Sequence, residues 1–200
     1  VSEGAAFSAF AEELARGAAE ILRREFHGGR RLGVEFKSAR DPVTEADRKS
    51  ESFLVDAIRS QYPDHQILTE EAGRIGQGSF VWVLDPLDGT VNFLHGHPFY
   101  AVSVALLRDG EPEVGVVAVP ETGEVYSALR GGGARCNGEP LRVSPRRDIG
   151  ECVLATGFAY NRNTKKHNNV ENFSRLILAC RGIRRCGAAA VDLAYVARGV

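Results

Sequence analysis

From Gln66 onward the chain passes through one apolar, β-rich run after another, and that succession limits the fold more than any other feature. HQILTEE, FVWVLD, FYAVSVALLRDG, EVGVVAVPETGEVYSAL and GGARCNGEPLRVS are short and rich in valine, leucine and aromatics, and AVSVALL alternates like a strand with one face covered. Asp109-Gly110 and Thr122-Gly123 are turn signals between runs, so several antiparallel pairs are predicted. Gly131-Gly132-Gly133 lacks the Gly-Lys-Ser/Thr that completes a nucleotide-binding loop and lies between predicted strands, which makes it a hairpin turn.

Helices flank these strands. Phe7, Phe10, Leu14, Ala18, Ile21 and Leu22 recur at helical spacing ahead of Gly28-Gly29, which predicts an amphipathic helix from Ala5 to Phe26. RRLGVEFKSARDP reads as a loop or short hairpin, and a second helix is predicted from about Val43 to Tyr62, stopped by Pro63. Farther on, CVLATGF and IRRCG read as strands, Val170 to Cys180 as a helix, and Ala188 onward as another. The expected fold class is layered α/β: helices packed on a large antiparallel sheet over 1–142, then a second, mixed α/β portion over 143–200. Because the chain starts at Val1 without methionine and stops inside the helical pattern LAYVARGV, it is expected to be truncated, its second portion incomplete.

With 44% hydrophobic and 26% charged residues and a formal net charge of -1, the composition is that of a globular protein without a general polyanion-binding surface, so nucleic acid is not an expected partner. VWVL and AVSVALL fall far short of the roughly 20 apolar residues a membrane helix needs, and no charged-then-apolar leader opens the chain; no membrane partner and a cytoplasmic location are expected. Cys136, Cys152, Cys180 and Cys186 include no C-x-x-C pair and are expected as free, mostly buried thiols. His95 and His97 have no partner cluster at zinc spacing and read as rim or structural residues.

WVLDPLDGTVNF holds the densest chemistry. Asp85 falls where an apolar strand leaves the sheet, and Asp88 follows after Pro86-Leu87. Two carboxylates and the Leu87 carbonyl offer hard oxygen ligands of the kind Mg²⁺ takes. DPVTEAD adds Asp41, Glu45 and Asp47, and ILTEE adds Glu70 and Glu71, one of which reaches the same metal if its strand lies beside FVWVL. Gly89-Thr90-Val91 can open a short helix whose free N–H groups meet a phosphate. Metal and anion site together point to phosphoryl transfer to water.

In order and spacing, DPVTEAD, ILTEE, WVLDPLDGTVNF and RRCGAAAVDLAYVARG resemble the motifs of the inositol monophosphatase family of Mg²⁺-dependent, Li⁺-sensitive sugar phosphatases, with similarity from about Lys37 to Val200. The resemblance implies a phosphomonoesterase for a small phosphorylated polyol or sugar, myo-inositol monophosphate first, working with two or three Mg²⁺ ions and without a covalent phosphoenzyme. By the same resemblance Glu70, Asp85 and the Leu87 carbonyl would hold the water-activating metal, and Asp85 and Asp88 would share a second. Thr90, oriented by Asp47, would position the attacking water with Glu70, while the Gly89 and Thr90 amides would hold phosphate. Gly187, Ala188 and Ala189 would line the substrate, Lys37 would lie in an active-site loop, and the protein would be a homodimer. The family's downstream W-D-x-A-A-G-like aspartate, and a sugar-contacting acid before it, are not among these 200 residues. Related activities within the superfamily are fructose-1,6-bisphosphatase, histidinol-phosphate phosphatase and nucleotide 3'-phosphatase. A different class, a non-catalytic regulator in an RNA or transcription complex, is the competing expectation.

Overall fold

A computed structural model describes residues 2–28, 34–38, 41–70 and 72–200, with only the backbone described at 34–38 and 41–43. Helix α1 (Glu3–His27) opens at Ser2, whose hydroxyl accepts a hydrogen bond from the Ala5 amide at 3.3 Å. Phe7, Ala11, Leu14, Ala15, Ala18, Ala19 and Leu22 bury one stripe of it at three- and four-residue steps. Its small residues let neighbours come close: a Cβ on Gly17 would stand 2.4 Å from the Phe53 ring.

Strands β1 (Val34–Ser38) and β2 (Asp41–Thr44) pair antiparallel; the rest of the stretch expected as a loop or short hairpin lies outside the described residues. Helix α2 (Glu45–Gln61) starts two residues later than Val43 because Thr44 stays extended as its cap. The Thr44 hydroxyl accepts from the Ala46 and Asp47 amides at 3.1 and 3.2 Å, while the Asp47 carboxyl accepts from the Thr44 amide at 2.8 Å.

Eight strands then build one sheet: β3 (Gln66–Thr69), β4 (Gly73–Ile75), β5 (Phe80–Asp88), β6 (Ala101–Arg108), β7 (Glu111–Val119), β8 (Glu124–Leu129), β9 (Gly133–Cys136) and β10 (Glu139–Pro140). Their order is β10-β9-β8-β7-β6-β5-β3-β4, and among them β3 and β5 are the parallel pair. Strand alternation sends Val102, Val104 and Leu106 into the core beneath α1 and α2, with Trp82, Leu14, Leu22, Leu54 and Ile58. The buried Trp82 indole donates to His65 Nδ1 at 3.1 Å, so its N–H is satisfied.

On the opposite side Ala101, Val119 and Tyr126 pack with Ala188, Val191 and Ala194. The last three belong to or cap α5 (Ala189–Arg198), which follows a two-stranded parallel sheet of β11 (Val153–Ala155) and β12 (Gly182–Arg184). Between them α4 (Val170–Leu176) ends four residues before the predicted Cys180; Leu178 is 88% exposed, so the apolar run LILAC does not continue as a buried helical face. GGARCNGEPLRVS holds strand only to Pro140, and Glu70 lies past the end of β3. All four cysteines are free but half-buried, which corrects the expected burial: Cys152, Cys180 and Cys186 lie outside the regular elements, and Cys136 ends β9 beside the two-residue edge strand β10. His95 and His97 are exposed, and no helix among the described residues is long and apolar enough to cross a membrane.

Candidate active site

The parallel pairing of β3 with β5 is what brings the acids together. Thr69 stands opposite Leu84, so Glu70 and Asp85 are the next residues along the same edge of the sheet. Glu70 follows the last residue of β3, and β4 begins at Gly73 with φ 72, a left-handed conformation suited to glycine.

A bulge solves the spacing of Asp85 and Asp88. Residues three apart on a regular strand point to opposite faces. Here Asp85 pairs with Ser103 but Asp88 pairs with Ala101, so β5 spends three steps against two on β6. The extra residue returns Asp88 to the side of Asp85, and both border a cavity of about 430 Å³ with Ser103, Ala189, Ala190 and Leu193. Pro86, lacking an N–H, costs the ladder little inside a bulge. Asp85 Oδ1 accepts from the Leu87 amide at 3.2 Å, tying the turn to its own side chain.

The head of α3 (Thr90–Leu94) lies against this turn. The Thr90 hydroxyl is 3.0 Å from the Leu87 carbonyl and 3.3 Å from Asp47 Oδ1, within donating distance of either. Gly89, at φ 92, is boxed in: a Cβ would meet the Phe99 carbonyl at 3.0 Å and Ala188 Cβ at 3.3 Å. Gly89→Ala is therefore expected to cost about 1–3 kcal/mol, seen as a lower urea midpoint at unchanged slope; an unchanged midpoint would contradict the boxed geometry.

Burial, then repulsion from Asp88 and Glu70, pushes the Asp85 carboxyl up to about 7. Asp88 and Asp47 are also raised, in each case first by burial; amides of Ala190 and Ala189 oppose the shift at Asp88, and Thr44 opposes it at Asp47. Asp88 Oδ2 accepts from the Ala190 amide at 2.6 Å, and so caps α5 in place of Ala188, which has no side-chain acceptor. Ala188 is fully buried, Ala189 is exposed beside the cavity, and Gly187, at φ 88, lies against Asn92. The backbone of Lys37 is on β1; its side chain, that of Asp41, and Glu71 lie outside the described residues.

Asn92, Ser50 and Glu51 were not singled out by the sequence reading. Asn92 donates to the carbonyls of Phe99 at 2.6 Å and Cys186 at 2.8 Å, pinning α3 to both neighbouring turns. Ser50 and Glu51 share the face of α2 that carries Asp47, and their helical spacing from it was the available signal.

Among the described residues no three acids, histidines or cysteines gather closely enough to make a ready metal site by themselves. In kind, the donors fit a hard cation: Asp85 and Asp88 are carboxylates whose repulsion a cation would relieve, the Leu87 carbonyl adds an oxygen, and Mg²⁺ keeps several waters. A larger cavity of about 600 Å³ opens beside Phe99, Arg146, Cys152, Arg184 and Tyr195 but contains none of Asp47, Glu70, Asp85 and Asp88. The chemistry of the acids, rather than cavity size, marks the candidate site.

Known proteins share this arrangement of elements. The chain is 45% identical over 193 residues to Nus factor SuhB of Pseudomonas aeruginosa, across 92% of this chain and 70% of that protein. The crystal structure of extragenic suppressor protein suhB from Bartonella henselae superposes with a TM-score of 0.91 at 37% identity, over 97% of this chain and 75% of that one. Inositol monophosphatase from Anabaena (Nostoc) sp. PCC 7120 gives 0.88 at 36% identity, over 99% and 73%. The family model for inositol monophosphatases matches residues 5–200, so with its carboxylate-bearing sheet edge and bulged D-P-L-D turn the chain belongs to the inositol monophosphatase family.

Proposed function

We propose that this chain is a Mg²⁺-dependent phosphomonoesterase that hydrolyses phosphate esters of small polyols or sugars, myo-inositol monophosphate first among them. The observation that carries the reading is the convergence of Asp85 and Asp88 on one cavity, with Asp85 raised to about 7 by burial and by Asp88 and Glu70. Asp85, Asp88, Glu70 and the Leu87 carbonyl would hold Mg²⁺, which when bound supplies Lewis-acid polarisation of the phosphate and a lowered pKa for water. Thr90, steered by Asp47 and the Leu87 carbonyl, would orient the attacking water by its hydroxyl. Glu70 would accept the proton of that water. The amides of Gly89 and Thr90 would face the phosphate oxygens, and Gly187 to Ala189 would border the alcohol portion. A homodimer, inhibition by Li⁺ and a location in the cytoplasm belong to the same proposal, supported by family membership.

The test is phosphate release from inositol 1-phosphate, fructose 1,6-bisphosphate, histidinol phosphate and a nucleoside 3'-phosphate, each with and without Mg²⁺. Release that needs Mg²⁺ and is strongest on inositol 1-phosphate is the expected result. Preference for another ester would reassign the substrate. No release from any ester with Mg²⁺ present would reject the hydrolase reading.

One observation favours a second reading, a non-catalytic regulator in an RNA or transcription complex: a relative at 45% identity bears the name Nus factor SuhB. The Asp85, Asp88, Glu70 and Thr90 set weighs toward hydrolysis, because a binding surface has no need of acids that repel one another. Co-purification of the chain with RNA or transcription complexes, unaffected by Asp85→Asn, would support the regulator.

A further inference from the structure

Helix α2 meets the candidate site with three polar residues on one turn. Asp47, Ser50 and Glu51 are spaced i, i+3, i+4, and are 4%, 0% and 7% exposed. Each reaches a different element. Asp47 Oδ1 lies 3.3 Å from the Thr90 hydroxyl at the head of α3, and the Ser50 hydroxyl donates to the Pro86 carbonyl in the bulge at 2.8 Å. Glu51 Oε1 accepts from the Ala72 amide at 3.0 Å, two residues past Glu70.

The backbone around Glu70 is bounded by the pairing of β3, which ends one residue earlier at Thr69, and by Ala72 two residues on. A backbone restrained on both sides of Glu70 holds the stance of that residue more closely than the strand end alone would. Glu51 also carries a cost for the fold, because its Oε2 is buried without a hydrogen-bond partner among the described residues. Burying a carboxyl for a single main-chain bond makes sense where that bond sets a geometry.

We propose that Glu51 is a positioning residue for the hydrolysis proposed above: by holding the Ala72 amide it fixes the turn after β3 and so the stance of Glu70 toward Asp85. It acts through that turn and is assigned no contact with substrate. This rests on the proposed function for its kinetic consequence, but not for its structural one. The ester would be held by α3 and the turn before α5, so loss of Glu51 should lower kcat and weaken Mg²⁺ activation while sparing KM.

The test compares wild type with Glu51→Gln, which keeps an acceptor, and Glu51→Met, which fills similar volume without one. Amide exchange measured by NMR on the Mg²⁺-free chain is expected to show Ala72 protected in wild type and in Glu51→Gln, and about tenfold faster in Glu51→Met, with Ile67 and Leu68 unchanged. In steady state, Glu51→Met should lose about 10- to 100-fold in kcat, and Glu51→Gln should recover most of it. An Ala72 amide unprotected in wild type would overturn the proposal. So would unchanged exchange in Glu51→Met, equal kcat losses in both variants, or faster exchange at Ile67, Leu68 and Ala72 together, which marks general destabilisation. If Glu51→Met does not melt cooperatively, Glu51→Asp, one methylene short of the amide, replaces it. Should wild type release no phosphate from any ester, the hydrolase reading fails, while exchange at Ala72 still decides whether Glu51 holds the turn.

Discussion

Replacing Asp85 by asparagine is expected to abolish phosphate release while making the metal-free chain more stable at neutral pH. The two effects share one cause. Asp85 is raised to about 7 first by burial, then by Asp88 and Glu70, so the folded chain holds a proton there that the unfolded chain has already released. For a carboxyl raised in this way, its contribution to stability is fully present below the unfolded value near 4 and is lost as pH climbs through the folded value near 7. Ionising it in the fold therefore costs about 4 kcal/mol at one pH unit per 1.36 kcal/mol. An asparagine amide in its place cannot ionise, and escapes that cost. The metal-free melting midpoint of wild type should fall between pH 5 and pH 8, that of Asp85→Asn should fall less, and the gap at pH 8 should be roughly 10 °C. With Mg²⁺ the order should reverse, because only wild type gains from the cation. Turnover should drop on the order of 1000-fold or more when the shared charged ligand is lost. Identical pH profiles of melting would refute the electrostatic account, and retained turnover would remove Asp85 from the metal site.

Asp47→Ala is expected to damage fold and turnover together. Asp47 joins two structures: one oxygen accepts from the Thr44 amide at 2.8 Å and closes the cap of α2, while the other stands 3.3 Å from the Thr90 hydroxyl. Alanine leaves both donors without this acceptor in a region where Asp47 is only 4% exposed. The cap and the buried N–H together should cost about 1–3 kcal/mol, read from chemical denaturation. Turnover should fall about 100-fold as Thr90 loses its orientation. Thr90→Ala separates the two effects, since it leaves the Thr44 cap intact and should lose turnover with little loss of stability. If Thr90→Ala hydrolyses esters at the wild-type rate, Asp47 has no role in orienting water, and its importance ends with the cap.

What could be read from the sequence followed the periodicity of its elements. Helix α1 was legible because Phe7, Leu14, Ala18 and Leu22 repeat over a full 25 residues, and β5 to β8 because long β-branched runs are bounded by Asp-Gly and Thr-Gly. Strand β4 is three residues long, too short to show alternation, and was missed. Strand order has no local signature either: nothing in HQILTEE says that it pairs parallel with FVWVLD. That pairing sets Thr69 opposite Leu84, and so Glu70 one residue past the strand end that leads to Asp85. Asp85 and Asp88 stood out because acids at the end of an apolar run are conspicuous. Ser50 and Glu51 did not, because hydroxyls and acids on a helix ordinarily face water, and only the packing of α2 shows that these face inward. Asp88 carries a task no motif announces, the capping of α5 from 102 residues away.

The bulge at Pro86-Leu87 makes the turn a matter of parity. A substitution at either position changes the shape of the turn by degrees, whereas deletion of one residue would restore strict alternation to β5 and carry Asp88 to the far face, away from the Ala190 amide it caps. Two restraints would vanish at once: the paired acids would be split by the thickness of the sheet, and α5 would be left without its cap. Residue count between the two aspartates is thus held more tightly than residue identity, and a search for distant chains with this chemistry should weight the spacing D-x-x-D at the end of a strand above the letters between.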